Sequence, residues 1–203
     1  MKYQELYFRH LPHYQPPGAT LFITFRLAES LPKDLLDHLI TESKRLETEI
    51  EQIPDLNQRK QSLQALYKKS FAKWDSCLDG VKSGPTWLAQ PDIAKIVISE
   101  IKMNAGIQYE LAAYCIMPNH VHMVITPLRT EDSYFPISRI MQMIKGRTAR
   151  KANLILGRQG QFWQHESYDH VVHDNAELER VIHYVINNPV RAGLPAQWSY
   201  SRY

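Results

Sequence analysis

The hydrophobic pattern along the chain falls into stretches that each predict an element. The β-branched and aromatic run Thr20 to Leu27 (TLFITFRL), entered through Pro16-Pro17-Gly18, reads as a first strand. From Leu31 to about Phe71, Leu35, Leu36, Leu39, Leu46, Ile50, Leu63 and Leu66 recur at three- and four-residue spacings among charged residues, which is the period of a helix. Pro54 interrupts that pattern, so two helices are expected, followed by an irregular connection from Lys73 to Gln90 through Gly80, Gly84 and Pro85. Pro91 to Asn104 is helical, with Ile93, Ile96, Val97 and Ile101 on one stripe, proline at the start and Gly106 just past the end. Strands follow at about Gln108 to Ile116 and His120 to Thr126. The tight Met117-Pro118-Asn119 turn between them pairs them as a hairpin. Ile137 to Leu156 carries the apolar stripe Ile140, Met143, Ile144 and Leu154 of another helix. Phe162 to His173 reads as extended, and Ala176 to Asn187 as a last helix stopped by Asn187-Asn188-Pro189.

This order predicts an α+β fold: a ferredoxin-like βαββαβ antiparallel sheet with a C-terminal helix and a helical insertion at about 31–90, after the first strand. At 203 residues, residues 1–203 are expected to form a single domain around that insertion. Cys77 and Cys115 are far apart, and Cys115 sits in an apolar strand, so neither a disulfide framework nor a cysteine-rich zinc site is indicated. No charged leader precedes an apolar segment and no apolar run approaches the length of a membrane span, so the expected location is cytoplasmic, with no membrane partner. A GxxxxGK[ST] loop is missing from the sequence, so no nucleotide cofactor is expected.

Net charge is only +3, and its distribution says more than its total. Arg139, Lys145, Arg147, Arg150, Lys151 and Arg158 fall in one stretch with no acidic residue among them. Solvated helix faces usually mix signs, so a one-sign face points to phosphate contacts.

The candidate chemistry begins in YCIMPNHVHMVI. Side chains on a strand alternate, so His120 and His122 project from one face while Val121 and Met123 go to the other. Two imidazoles so placed can share one metal ion, but an open catalytic site needs a further ligand. Tyr184 and Asn188 are four apart, so if the final turn stays helical they share a face that offers a phenol and a carboxamide. Asn188 is then a candidate metal ligand and Tyr184 a candidate nucleophile. A phenol is mostly protonated at neutral pH, and a divalent ion that withdraws charge from a phosphate oxygen makes its attack feasible. The chain has eleven tyrosines, and spacing alone does not single out Tyr184. Tyr168, in HESYDH, is the rival.

Taken together, His120-Val121-His122, Phe162-Trp163-Gln164 in GQFWQHESYDH, and Tyr184 in HYVINNPVRAGL resemble the single-tyrosine HUH transposases of the insertion-sequence type, closest to the REP-associated tyrosine transposases. The resemblance runs from about Leu11 to Leu194. It implies a metal-dependent single-stranded DNA endonuclease and strand transferase that cleaves beside REP-like hairpins through a 5′-phosphotyrosine. It further implies that His120 and His122 bind Mg²⁺ or Mn²⁺, that Tyr184 attacks DNA, and that Asn188 occupies the third ligand position. Hairpin phosphates are expected on Arg147, Arg150 and Lys151, with Lys145 and Arg139 on the same helix. Unpaired bases are expected against Arg9, His10, Tyr14 and Trp163. The alternative is a catalytically silent hairpin-binding regulator of DNA or RNA on the same fold, and either a monomer or a homodimer fits.

Overall fold

The computed structural model describes residues 6–8, 12–80, 83–195, 198 and 201–202. Strands β1 (Leu6–Phe8) and β2 (Pro12–Tyr14) pair with each other, a short hairpin not anticipated from the sequence. The expectations placed on Arg9 and His10 lie outside the described residues, and Tyr14 is placed by its backbone in β2. The order continues with β3 (Leu21–Arg26), α1 (Lys33–Glu51), α2 (Leu56–Gly80), a single 3₁₀ turn at Trp87–Ala89, α3 (Pro91–Asn104), β4 (Tyr109–Ile116) and β5 (His120–Pro127). It ends with α4 (Ile137–Ile155), β6 (Tyr168–Val171), α5 (Asn175–Arg191) and β7 (Ser201–Arg202).

The main sheet runs β6-β3-β5-β4-β7 with every neighbour antiparallel. Without the edge strand β7, this is the expected ferredoxin-like sheet of four strands. Alternation sorts its residues cleanly. Leu21, Ile23 and Phe25 of β3, Val121, Met123 and Ile125 of β5, and Tyr114 and Ile116 of β4 join Ile93, Val97 and Ile101 of α3 and Ile140 and Ile144 of α4 in one buried core. Phe22, Thr24 and Arg26 on β3, and His120, His122 and Val124 on β5, point to the opposite face, where α5 packs on β4 and β5. A bulge keeps β4 in step. Leu111 pairs with Ile125 but Ala113 with Val124, so the extra residue Ala112 returns Tyr114 to the core and sets Cys115 opposite His122.

Residues 29–84 form a compact unit of their own, in which α1 and α2 pack together. Gly84 closes it. Its φ is +91°, and a Cβ there would stand 2.6 Å from the Glu29 carbonyl, so only glycine lets the two ends of the segment meet. No helix of the described residues is long and apolar enough to cross a membrane.

Three expected boundaries shift, each for a local reason. Helix α2 runs on to Gly80 instead of ending near Phe71, because Trp74 and Leu78 continue its stripe by one turn and Leu78 is buried. The extended stretch from Phe162 shrinks to β6. Phe162 and Trp163 turn into the core instead, and the Lys145 ammonium gathers the carbonyls of Gln164, His165 and Glu166 at 3.0, 3.2 and 3.3 Å. Those carbonyls are satisfied without a ladder. Helix α5 passes through Pro189 and ends at Arg191. Proline removes only the bond to the carbonyl four residues back, and its fixed φ is helical. The real stop is Gly193 at φ +69°, where Gly193 N–H donates to the Val190 carbonyl (3.0 Å) and Leu194 N–H to that of Pro189 (2.9 Å). That double closure is a Schellman motif.

Met123 is fully buried on the face opposite the histidines. Met123→Ala is therefore expected to lower the unfolding free energy by about 2–5 kcal/mol, read as a reduced urea midpoint with an unchanged slope.

Candidate functional site

The site is built on the middle of the sheet. In the β3–β5 register Thr24 lies opposite His122 and Arg26 opposite His120, so the strand pairing itself supplies neighbours to both imidazoles. The Thr24 hydroxyl and His122 Nδ1 share a hydrogen bond of 2.8 Å. His120 Nδ1 meets Asn119 Oδ1 at 2.7 Å. With both distal nitrogens engaged, the two Nε2 atoms face one another at 2.9 Å. Neighbouring ligands on one cation, with metal–nitrogen bonds of about 2.1 Å, stand at that kind of separation. Outer hydrogen bonds of this sort fix the tautomer and ring orientation of metal-binding histidines.

Both rings are fully buried. Burial holds the His120 pKa down to about 3, and burial followed by the neighbouring His120 holds His122 well below the ordinary imidazole range. Neutral imidazoles are the form that ligates a metal.

Helix α5 brings the other half. Its start is fixed by Asp174, whose carboxylate accepts the Glu177 N–H at 2.7 Å, while the Glu177 carboxylate accepts the His173 N–H at 2.9 Å and meets His170 Nε2 at 3.1 Å. Two turns on, the half-buried Tyr184 ring stands edge-on to His122 and Phe22, with centroids 5.9 and 6.0 Å away. Because the helix continues past Asn187, Asn188 lies one turn beyond Tyr184 on the same face. Asn188 is completely buried, and neither atom of its carboxamide has a hydrogen-bond partner among the described residues. An unsatisfied buried amide costs about 1–3 kcal/mol, so this one calls for a ligand. Two neutral imidazoles and an orphaned amide oxygen form a donor set that fits a divalent cation.

Residues 91–188 match the family model for IS200-like transposases. Over this stretch, just under half of its length, the chain is similar to IS200-like transposases. The expected likeness to the REP-associated branch is borne out as well. The chain is 25% identical over 104 residues to a Haemophilus influenzae protein described as a REP-associated tyrosine transposase; the match takes in 47% of this chain, which spans 59% of that relative's length. The solved structure of a REP-associated tyrosine transposase bound to a REP hairpin shares the fold, with a TM-score of 0.53 over 96% of this chain and 81% of that one at 16% identity. His120, His122, Tyr184 and Asn188 all fall inside the matched transposase region, whereas Thr24 precedes it and Arg191 follows it.

The remaining expected residues divide by environment. Arg139 and Arg150 are exposed on α4. Arg147 and Lys151 are about half exposed, but both turn to the buried carboxylate of Glu100 on α3, at 3.0 and 3.6 Å. Lys145 is occupied by the carbonyls already named. Trp163 is a correction: it is 4% exposed, its Nε1 donates to Thr148 Oγ1 at 2.8 Å, and Phe25 and Phe162 abut its ring, so it offers no platform for a base. Tyr168 stands on the same face as the histidines, directly opposite Thr24.

Sequence reasoning passed over Thr24, Arg26 and Asn119. The signal was present for two of them, since Thr24 and Arg26 are the polar residues at period two in TLFITFRL.

The Glu100 contacts separate paired from outward-facing cations on one helix. Arg147→Ala is expected to cost about 1–3 kcal/mol of stability, because it strips a charged hydrogen bond from a buried carboxylate. Arg150→Ala should stay within about 0.5 kcal/mol. Paired denaturation curves check both.

Proposed function

We propose that the protein nicks and rejoins single-stranded DNA beside hairpins of the REP type, with Tyr184 as nucleophile. The observation that carries this reading is the orphaned, buried carboxamide of Asn188, one helical turn from a tyrosine that stands edge-on to His122. The likeness to transposases supports a DNA substrate, and the hairpin-bound relative suggests its shape.

In this reading His120, His122 and Asn188 hold a divalent ion, Mg²⁺ or Mn²⁺, which when bound withdraws charge from a non-bridging phosphate oxygen and orients the phosphodiester. The protein does the rest. Thr24 and Asn119 hold the imidazoles in place, and Phe22 and His122 set the plane of the Tyr184 ring. The Tyr184 oxygen forms a bond to phosphorus as the bond from phosphorus to the 3′ oxygen breaks, and the phenolic proton ends on that 3′ oxygen. One phosphodiester replaces another, so the step is close to balanced and needs no nucleotide fuel. Reversal with a different 3′ hydroxyl joins a new strand, which is the transfer step of transposition. Exposed Arg139 and Arg150 are the α4 cations left for DNA phosphates.

The test is a denaturing gel after wild-type protein is incubated with labelled single-stranded DNA of the repeats beside its gene, with Mg²⁺ or Mn²⁺ and without either. A covalent adduct is expected only with the metal. It should vanish in Tyr184→Phe and persist in Tyr168→Phe; the reverse pattern assigns the nucleophile to β6. Asn188→Ala should lower the adduct rate by at least about tenfold, in line with the loss of a metal-positioning group, with hairpin affinity retained. Tight hairpin binding and no adduct under either metal would support the silent regulator instead.

A further inference from the structure

Arg191, in the NPVRAGL end of the last helix, has no part in the reading above, yet it borders the same site. Its guanidinium carbon lies 4.7 Å from the centre of the Tyr184 ring. Seven residues separate the two, so helix geometry keeps them on one face. Arg191 is exposed, and no carboxylate pairs with it among the described residues.

The charges around Tyr184 make this position stand out. His120 and His122 are held neutral and Asn188 carries no charge. Arg26, opposite His120, is largely buried and feels the carboxylate of Glu166. Arg191 is a cation beside the phenol with no such partner. An in-line attack adds negative charge to the oxygens around phosphorus, and a guanidinium offers a planar fork of donors suited to them. Donors preset where charge develops act on the rate more than on binding.

We infer that Arg191 is a catalytic residue that reaches across the Tyr184 ring and donates hydrogen bonds to a non-bridging oxygen of the phosphodiester under attack. This rests on Tyr184 being the nucleophile. The guanidinium keeps its proton throughout; the bond made is from the Tyr184 oxygen to phosphorus, the bond broken is to the 3′ oxygen, and the phenolic proton leaves with the latter. A cation in the last turn of a helix also favours the helix dipole, and stacking on a phenol adds packing. Those roles predict lost stability without a selective effect on rate.

The experiment measures single-turnover adduct formation at saturating single-stranded repeat DNA, alongside DNA affinity and thermal midpoint, for wild type, Arg191→Gln and Arg191→Lys. The expected result for Arg191→Gln is a rate about 100-fold lower, with affinity within about threefold. Arg191→Lys keeps the charge without the fork and should react at least about tenfold faster than the glutamine variant. A glutamine variant within about threefold of wild type overturns the inference. So does a lysine variant no faster than glutamine, or a rate loss matched by equal loss of affinity. If Arg191→Gln does not fold, the lysine variant decides: a wild-type rate, or a loss matched in affinity, overturns the inference, and a selective rate loss supports it. Failure of the underlying reading looks different, since wild type would then bind the repeats and form no Tyr184-dependent adduct, and the role of Arg191 would fall with it.

Discussion

The antiparallel register between β3 and β5 is the constraint from which the site follows. It pairs Thr24 with His122 and Arg26 with His120. A slip of one residue would turn both imidazoles into the core and bring Val121 and Met123 to the site face. The apolar half of each strand prevents that slip, because Ile23, Phe25, Val121 and Met123 are all buried against α3 and α4. Packing on one face thus fixes the geometry of the imidazoles on the other. The 2.9 Å approach of the two Nε2 atoms is a consequence of hydrophobic burial on the far side of the sheet.

The second half of the site depends on where a helix ends. Asn188 can share a face with Tyr184 only if α5 continues through Pro189, and it does so because Gly193, not Pro189, supplies the closing turn. At the other end, the Asp174 cap and the contact between Glu177 and His170 tie the start of α5 to β6. The helix is held at both ends, with the tyrosine between them.

Much of this was legible in the sequence. Period-two alternation placed His120 and His122 on one face, a spacing of four placed Tyr184 with Asn188, and the order of elements predicted the sheet. The failures share a cause: they lie where a long-range contact overrules a local pattern. Trp163 reads as an aromatic beside polar residues, but Thr148, fifteen positions back on α4, takes its N–H and draws it inside. Arg147 and Lys151 read as a one-sign helix face, and no local signal shows that a single buried carboxylate on α3 lies beneath them. The stop expected at Asn187-Asn188-Pro189 fails in the same way, because a proline's ability to end a helix depends on whether the next turn finds its own closure.

The tension between burial and charge decides what this face can do. Removing an imidazole from water disfavours its charged form, so full burial keeps His120 and His122 neutral. It also means that these two rings supply no cation for a phosphate. Positive charge must therefore come from a bound ion or from side chains at the rim. Arg26 is inside and Arg191 is outside, above a half-buried tyrosine. On the proposed reading, a buried donor set with a cation beside its half-buried tyrosine would bind DNA weakly through the site itself and reserve its charge for the reacting phosphate. Affinity must then be supplied elsewhere, by a surface such as the exposed side of α4. On that reading the division would let the protein hold a hairpin and still release a cut strand.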